Sequence, residues 1–258
     1  MSHVPFDKTF KSCYCLLNCN CAKIYPSSTY TTHIIHHYPQ SRQYSQRSSN
    51  FDESESDTVE SNEKFKIVVI LDESGSMENI RSNMLKSIND LITEQKQIKE
   101  RPATFTLVKF NDKINRKMEN IPLEETRRLT SEDYKPEGST ALYDAIGSTI
   151  NRFRNERDVL MVIITDGQEN ASTNYNKDYV TRKFDEKKKY NNWSYVYLSC
   201  DLTTAQQGAN MGLNTSNYST NVQMPVYQYG EYISNNLNSA MTNFRKNGTS
   251  VQAQLNRI

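Results

Sequence analysis

Asp72-Glu73-Ser74-Gly75-Ser76-Met77 sets one acid and two hydroxyls on alternate positions, directly after the apolar run 65–71. Asp166-Gly167 ends a second apolar run, 158–165, and Gly138-Ser139-Thr140 is a third polar loop, followed by a helical pattern. Hard oxygen donors of this kind suit Mg²⁺ or Mn²⁺. Ser and Asp also favour helix N-caps, and Ile80, Met84, Ile88, Leu91 and Ile92 do follow Met77 at helical spacing. Taken alone, the 72–77 stretch therefore reads either as a metal-binding turn or as a helix start.

The elements around these residues narrow the choice. Runs 65–71 and 158–165 are apolar without alternation, the pattern of strands buried on both faces of a parallel sheet. Between them, 103–110 reads as a second strand. After the Asn111-Asp112 turn, 113–119 reads as a short strand returning antiparallel, with Ile114 and Met118 on its better-buried positions. Residues 123–134 form a polar connection, and Leu142, Ile146, Ile150 and Phe153 mark the next helix. A lysine-rich helix over 175–190 buries Val180 and Phe184, its Lys187-Lys188-Lys189 run reading as a solvated face. A strand at 193–200 ends in Cys200, read as a buried small hydrophobe. Helices at 203–212 and 230–246 complete the pattern, the latter presenting Ile233, Leu237, Met241 and Phe244 on one face. Alternating strands and helices with short links predict a doubly wound α/β sheet. If runs 65–71 and 158–165 are neighbours at the switch point, Asp72 and Asp166 face one another at one edge. Two such carboxylates repel unless a cation lies between them.

The bounds on the remainder are simple. The 258-residue chain has a net charge of +1, and its Lys and Arg are interleaved with acids, so nucleic acid is not an expected partner. No apolar run approaches the roughly 20 residues of a membrane span. The first residues lack a signal-peptide pattern, so an intracellular (cytoplasmic) location is expected. Residues 1–62 are rich in Ser, Tyr, Gln and Asn and are expected to be a disordered tail. That tail holds all four histidines (His3, His33, His36, His37) and four of the five cysteines (Cys13, Cys15, Cys19, Cys21). Their spacing does not fit the usual zinc pattern, and a reduced, mobile tail is preferred over metal binding or lipidation.

Together, the Asp72–Met77 stretch, Gly138-Ser139-Thr140 with Ala141-Leu142-Tyr143-Asp144-Ala145, and Thr165-Asp166-Gly167 resemble the von Willebrand factor A domain. All three motifs stand in family order, and Thr106 to Asp112 also resembles the family's second strand and turn. The resemblance spans residues 63–247, leaving 248–258 as a C-terminal extension. Its stretch from Leu213 to Lys246 is similar to an intracellular branch of the family. The resemblance implies a Rossmann-like fold: a mostly parallel central sheet with one antiparallel edge strand and helices on both faces. It further implies a metal-ion-dependent adhesion site. Ser74, Ser76 and Thr140 would offer hydroxyl oxygens, with Asp72 and Asp166 acting directly or through water. One Mg²⁺ or Mn²⁺ ion would be completed by an Asp or Glu carboxylate of a protein partner. Asp144 and Glu73 lie near the motifs and are read as helix-capping or surface charge. The expected function is metal-dependent protein binding rather than catalysis. No histidine occurs from Lys64 onward, which removes a Ser-His-Asp arrangement, and only Glu73 or Glu169 could serve as a base. A metal-assisted hydrolase, or a structural domain with a vestigial site, are the alternatives.

Overall fold

The apolar runs become strands because only a sheet covered on both sides can bury every residue of an unalternating stretch. In the computed structural model, which describes residues 64–257, β1 (Phe65–Asp72) and β2 (Ala103–Phe110) are buried along their whole length. The same holds for β4 (Val159–Ile164). With β3 (Ile114–Pro122), β5 (Ser194–Ser199) and β6 (Ser219–Gln223) they form one sheet in the order β3-β2-β1-β4-β5-β6. All neighbours are parallel except the edge pair β2 and β3. The expectations for the tail, residues 1–62 with their cysteines and histidines, lie outside the described residues.

Alternate side chains build the two halves of the core. Ile67, Val69, Leu71, Leu107 and Val162 pack with α1 (Arg81–Gln95) and with the last long helical stretch. Val68, Ile70, Val108, Met161 and Ile163 pack on the opposite face with α2 (Leu142–Arg152) and α3 (Lys177–Asn191). A short α4 (Leu202–Asn210) leads into β6.

Several local readings change in three dimensions. The helix after Met77 opens as a 3-10 turn, Gly75–Ile80, before α1 begins. The polar connection at 123–134 lies over the core, burying Leu123, Leu129 and Tyr134. Of the lysine run, Lys189 is exposed, but Lys187 is buried and donates to the Arg154 carbonyl. Its four-carbon stem suits that partly apolar route, and the carbonyl satisfies the ammonium at its end. Edge strand β6 is absent from the sequence reading because Ser219-Thr220-Asn221-Val222-Gln223 carries neither apolar run nor alternation. The last helix is not uniform: α5 (Tyr229–Tyr232) passes through a π-helical turn, Ile233–Leu237, into α6 (Asn238–Asn247). Residues after 248 form α7 (Val251–Leu255), whose Val251 and Leu255 join the core on the α1 side.

Candidate metal centre

β1 and β4 are adjacent, and their last paired residues are Leu71 and Ile164. Beyond that pair each strand follows its outer neighbour. Glu73 N donates to the Phe110 carbonyl (2.6 Å), and Thr165 N to the Leu198 carbonyl (3.4 Å). A crevice therefore opens between the two strand ends, the position where ligands bind in open α/β sheets. Asp72 lies on one side of it and Asp166 on the other.

Backbone geometry then brings the polar side chains together. Asp72 is fully buried; its Oδ1 accepts from Ser74 N (2.7 Å) and its Oδ2 from Thr165 Oγ1 (2.7 Å). The Ser74 and Ser76 hydroxyls are 3.2 Å apart, and Ser76 Oγ donates to Asp166 Oδ1 (2.6 Å). Although Ser74 is the residue before the 3-10 turn, its side chain caps no backbone N–H there. Thr140 arrives on a separate loop: Gly75 N donates to the Gly138 carbonyl (3.2 Å), and Gly138 takes the left-handed conformation (φ 75°). A side chain at 167 would bring its Cβ to 3.0 Å from Thr140 Oγ1, with Asp72 Oδ2 3.8 Å away. Gly167 thus keeps clear a space bordered by the Thr140 hydroxyl and the Asp72 carboxylate. Four of the five expected residues are linked directly or through one neighbour by hydrogen bonds, and Thr140 adjoins them across that gap.

The electrostatics of the crevice are unfavourable for two anions. Burial pushes the Asp72 carboxyl up from 3.8 to about 6, against hydrogen bonds from Thr165 and Ser74, and the Asp166 charge adds to the rise. Burial also raises Asp166, and the Ser76 hydroxyl partly offsets it. Among the described residues neither acid has a Lys or Arg partner.

A supporting layer of carboxylates was assigned otherwise by the sequence reading. Glu73 is not surface charge. It is buried, pairs with Lys109 Nζ (2.5 Å) and accepts from Lys135 N (2.6 Å), tying the β1 turn to β2 and to the loop that carries Thr140. Asp144 caps no helix; it is buried and accepts the backbone N–H groups of Thr173, Asn174 and Tyr175. Glu169 accepts from Tyr143 N, Ala171 N and Ser172 N. Together Asp144 and Glu169 fix the long loop after Asp166 onto the start of α2. Cys200 is half-buried rather than a plain core residue, and its thiol donates to the Asp166 carbonyl (2.9 Å). Nothing in residue type or spacing distinguishes a carboxylate that fastens a loop from one that faces water, so no sequence signal marks these roles. Among the described residues no three His, Cys, Asp or Glu side chains are grouped as a metal ion would require; three of the five candidate ligands here are hydroxyl residues.

No curated protein matches the chain significantly. Among solved structures it is similar to a von Willebrand factor type A protein from Catenulispora acidiphila, at 14% identity and a TM-score of 0.51, covering 71% of this chain and 43% of that one. It is also similar to the pilus adhesin SpaC from Lactobacillus rhamnosus GG, at 12% identity and a TM-score of 0.53, covering 72% and 30% respectively. The minor pilin PilB from Streptococcus sanguinis follows at 12% identity and a TM-score of 0.51, covering 77% and 64%. The chain spans less than two thirds of each of these proteins, and at such identities the likeness is one of fold. Among the described residues no helix is long and apolar enough to cross a membrane. Residues 66–197, half of the chain, match the family model described as the von Willebrand factor type A domain, and the chain belongs to that family.

Proposed function

We propose that this domain binds a protein partner through one Mg²⁺ or Mn²⁺ ion held by Asp72, Ser74, Ser76, Thr140 and Asp166. The observation that carries the reading is a fully buried acid, Asp72, and a half-buried one, Asp166, which have no cationic side-chain partner among the described residues and share a crevice with three hydroxyls. The donor set fits a hard divalent ion, being all oxygen and of low total charge. Gly167 supports it further, since the space that its missing side chain leaves is bordered by two of the proposed ligands. Bound there, the ion would neutralise the two acids and offer a coordination position to an Asp or Glu of the partner. The protein's own part is to hold the oxygens in place: the Ser74–Ser76–Asp166 chain orients three of them, and the Gly75–Gly138 backbone bond brings in Thr140's loop.

Binding is preferred to catalysis because the two acids available as bases are already engaged. Glu73 holds Lys109 and the Lys135 amide, and Glu169 holds three backbone amides. Domains of this family commonly mediate metal-dependent protein interactions, which agrees with that choice. The reading is tested by thermal unfolding with added Mg²⁺ or Mn²⁺. At a hundredfold excess over Kd, binding to the native state alone should add about 2.7 kcal/mol. Asp72→Ala should abolish that response, and Thr140→Ala and added chelator should each abolish capture of a carboxylate-bearing partner. Capture that survives chelator would place the partner elsewhere.

A further inference from the structure

The strand ends that carry the two acids have a construction of their own. Where β1 and β4 diverge, the carbonyls of Asp72, Thr165 and Asp166 leave the ladder, and buried carbonyls need donors. Three side chains from three different segments supply them. Tyr134, from the connection before α2, donates to Asp72 O (2.7 Å). Tyr229, the first residue of α5, donates to Thr165 O (2.8 Å), and Cys200 donates to Asp166 O. Both tyrosines are fully buried and belong to the same half of the core, beneath one side of the crevice. Burial holds both phenols far above their ordinary range, so they remain donors at any working pH. A rigid aromatic ring with its hydroxyl at the tip fixes a carbonyl better than a solvated loop does, because neither ring can turn away without leaving the core.

We infer that Tyr134 and Tyr229 are positioning residues of the metal centre, setting the separation of Asp72 and Asp166 through the backbone that carries them. This rests on the metal-binding reading above. Groups that orient ligands without touching the ion typically change metal affinity roughly 10–100-fold when removed. Tyr232 provides the control. It lies three residues beyond Tyr229, in the same half of the core, and its buried hydroxyl has no protein partner among the described residues.

The experiment is a Mn²⁺ titration of the full chain, followed by electron paramagnetic resonance well below the unfolding transition. It compares wild type with Tyr134→Phe, Tyr229→Phe, Tyr232→Phe and Asp72→Asn. Each Phe variant keeps the ring and removes only the hydroxyl. Tyr134→Phe and Tyr229→Phe should weaken Mn²⁺ binding at least about tenfold, with Tyr232→Phe within about twofold of wild type. If the first two lose thermal stability but keep wild-type affinity, the hydroxyls are merely structural and the inference is overturned. Equal weakening in Tyr232→Phe would overturn it too, by showing a general loosening of the core. Should one variant lose its cooperative unfolding, the other decides. Failure of the underlying reading looks different: wild type would not bind Mn²⁺, or Asp72→Asn would bind it unchanged, and the inference would fall with it.

Discussion

Replacing Asp72 by Asn should stabilise the metal-free protein at neutral pH, although Asp72 is the central residue of the site. The reasoning starts from the fully buried carboxylate, held at about 6 in the folded chain against an ordinary 3.8. Since the folded state holds its proton more tightly, stability falls as pH rises through the window between those two values. Above that window the folded protein carries the full cost of a buried charge, roughly 3 kcal/mol at about 1.36 kcal/mol per pH unit. Asn keeps the shape and removes the charge. It also weakens the bonds accepted from Ser74 N and Thr165 Oγ1, at a cost of about 1 kcal/mol. The net gain should be about 2 kcal/mol, or roughly 4–8 °C for a domain of this size. The assay is thermal unfolding of both proteins in chelator from pH 7 down to pH 4, read as the difference between them so that other titrating groups cancel. The advantage of Asp72→Asn should shrink and then reverse slightly as Asp72 itself becomes neutral. With saturating Mg²⁺ at pH 7 the order should invert, because only wild type gains from the ion. A metal-free Asp72→Asn protein less stable than wild type at pH 7, or an advantage that does not change with pH, would refute the reasoning.

Two further outcomes concern the frame around the site. Removing either partner of the buried Glu73–Lys109 pair should cost about 3–5 kcal/mol, because the other charge is left without compensation. Glu73→Gln with Lys109→Met should cost clearly less than the sum of the single changes in a urea-unfolding double-mutant cycle; additive losses would mean that the pair is not coupled. Arg245 is buried without a carboxylate partner among the described residues, its guanidinium satisfied by the carbonyls of Gln95, Ile98 and Arg101 at and just past the end of α1. Arg245→Met should therefore cost roughly 3 kcal/mol in denaturant unfolding, chiefly through orphaned carbonyls, and a loss under about 1 kcal/mol would show that water reaches them instead.

Hydropathy pattern alone located the sheet centre and the strand ends where the candidate ligands lie. Runs without alternation leave a strand no solvent face, so β1 and β4 could only lie inside a covered sheet, and the acids at or just past their ends had to reach the same edge once those strands were parallel neighbours. That neighbour relation was a condition in the sequence and a fact only in the fold. Tertiary structure alone decided what its polar groups do away from the motifs. Glu73, Asp144, Lys187 and Arg245 look like surface charge in a one-dimensional pattern, because hydropathy records residue type and not the partner that makes burial tolerable. Their partners lie dozens of residues away: Lys109 for Glu73, the 173–175 amides for Asp144, the Arg154 carbonyl for Lys187, and the end of α1 for Arg245. Strand β6 was hidden for a related reason. Four polar residues and one valine at a sheet edge are held by pairing with β5 and by the loops around them, and no local propensity announces an element stabilised from outside.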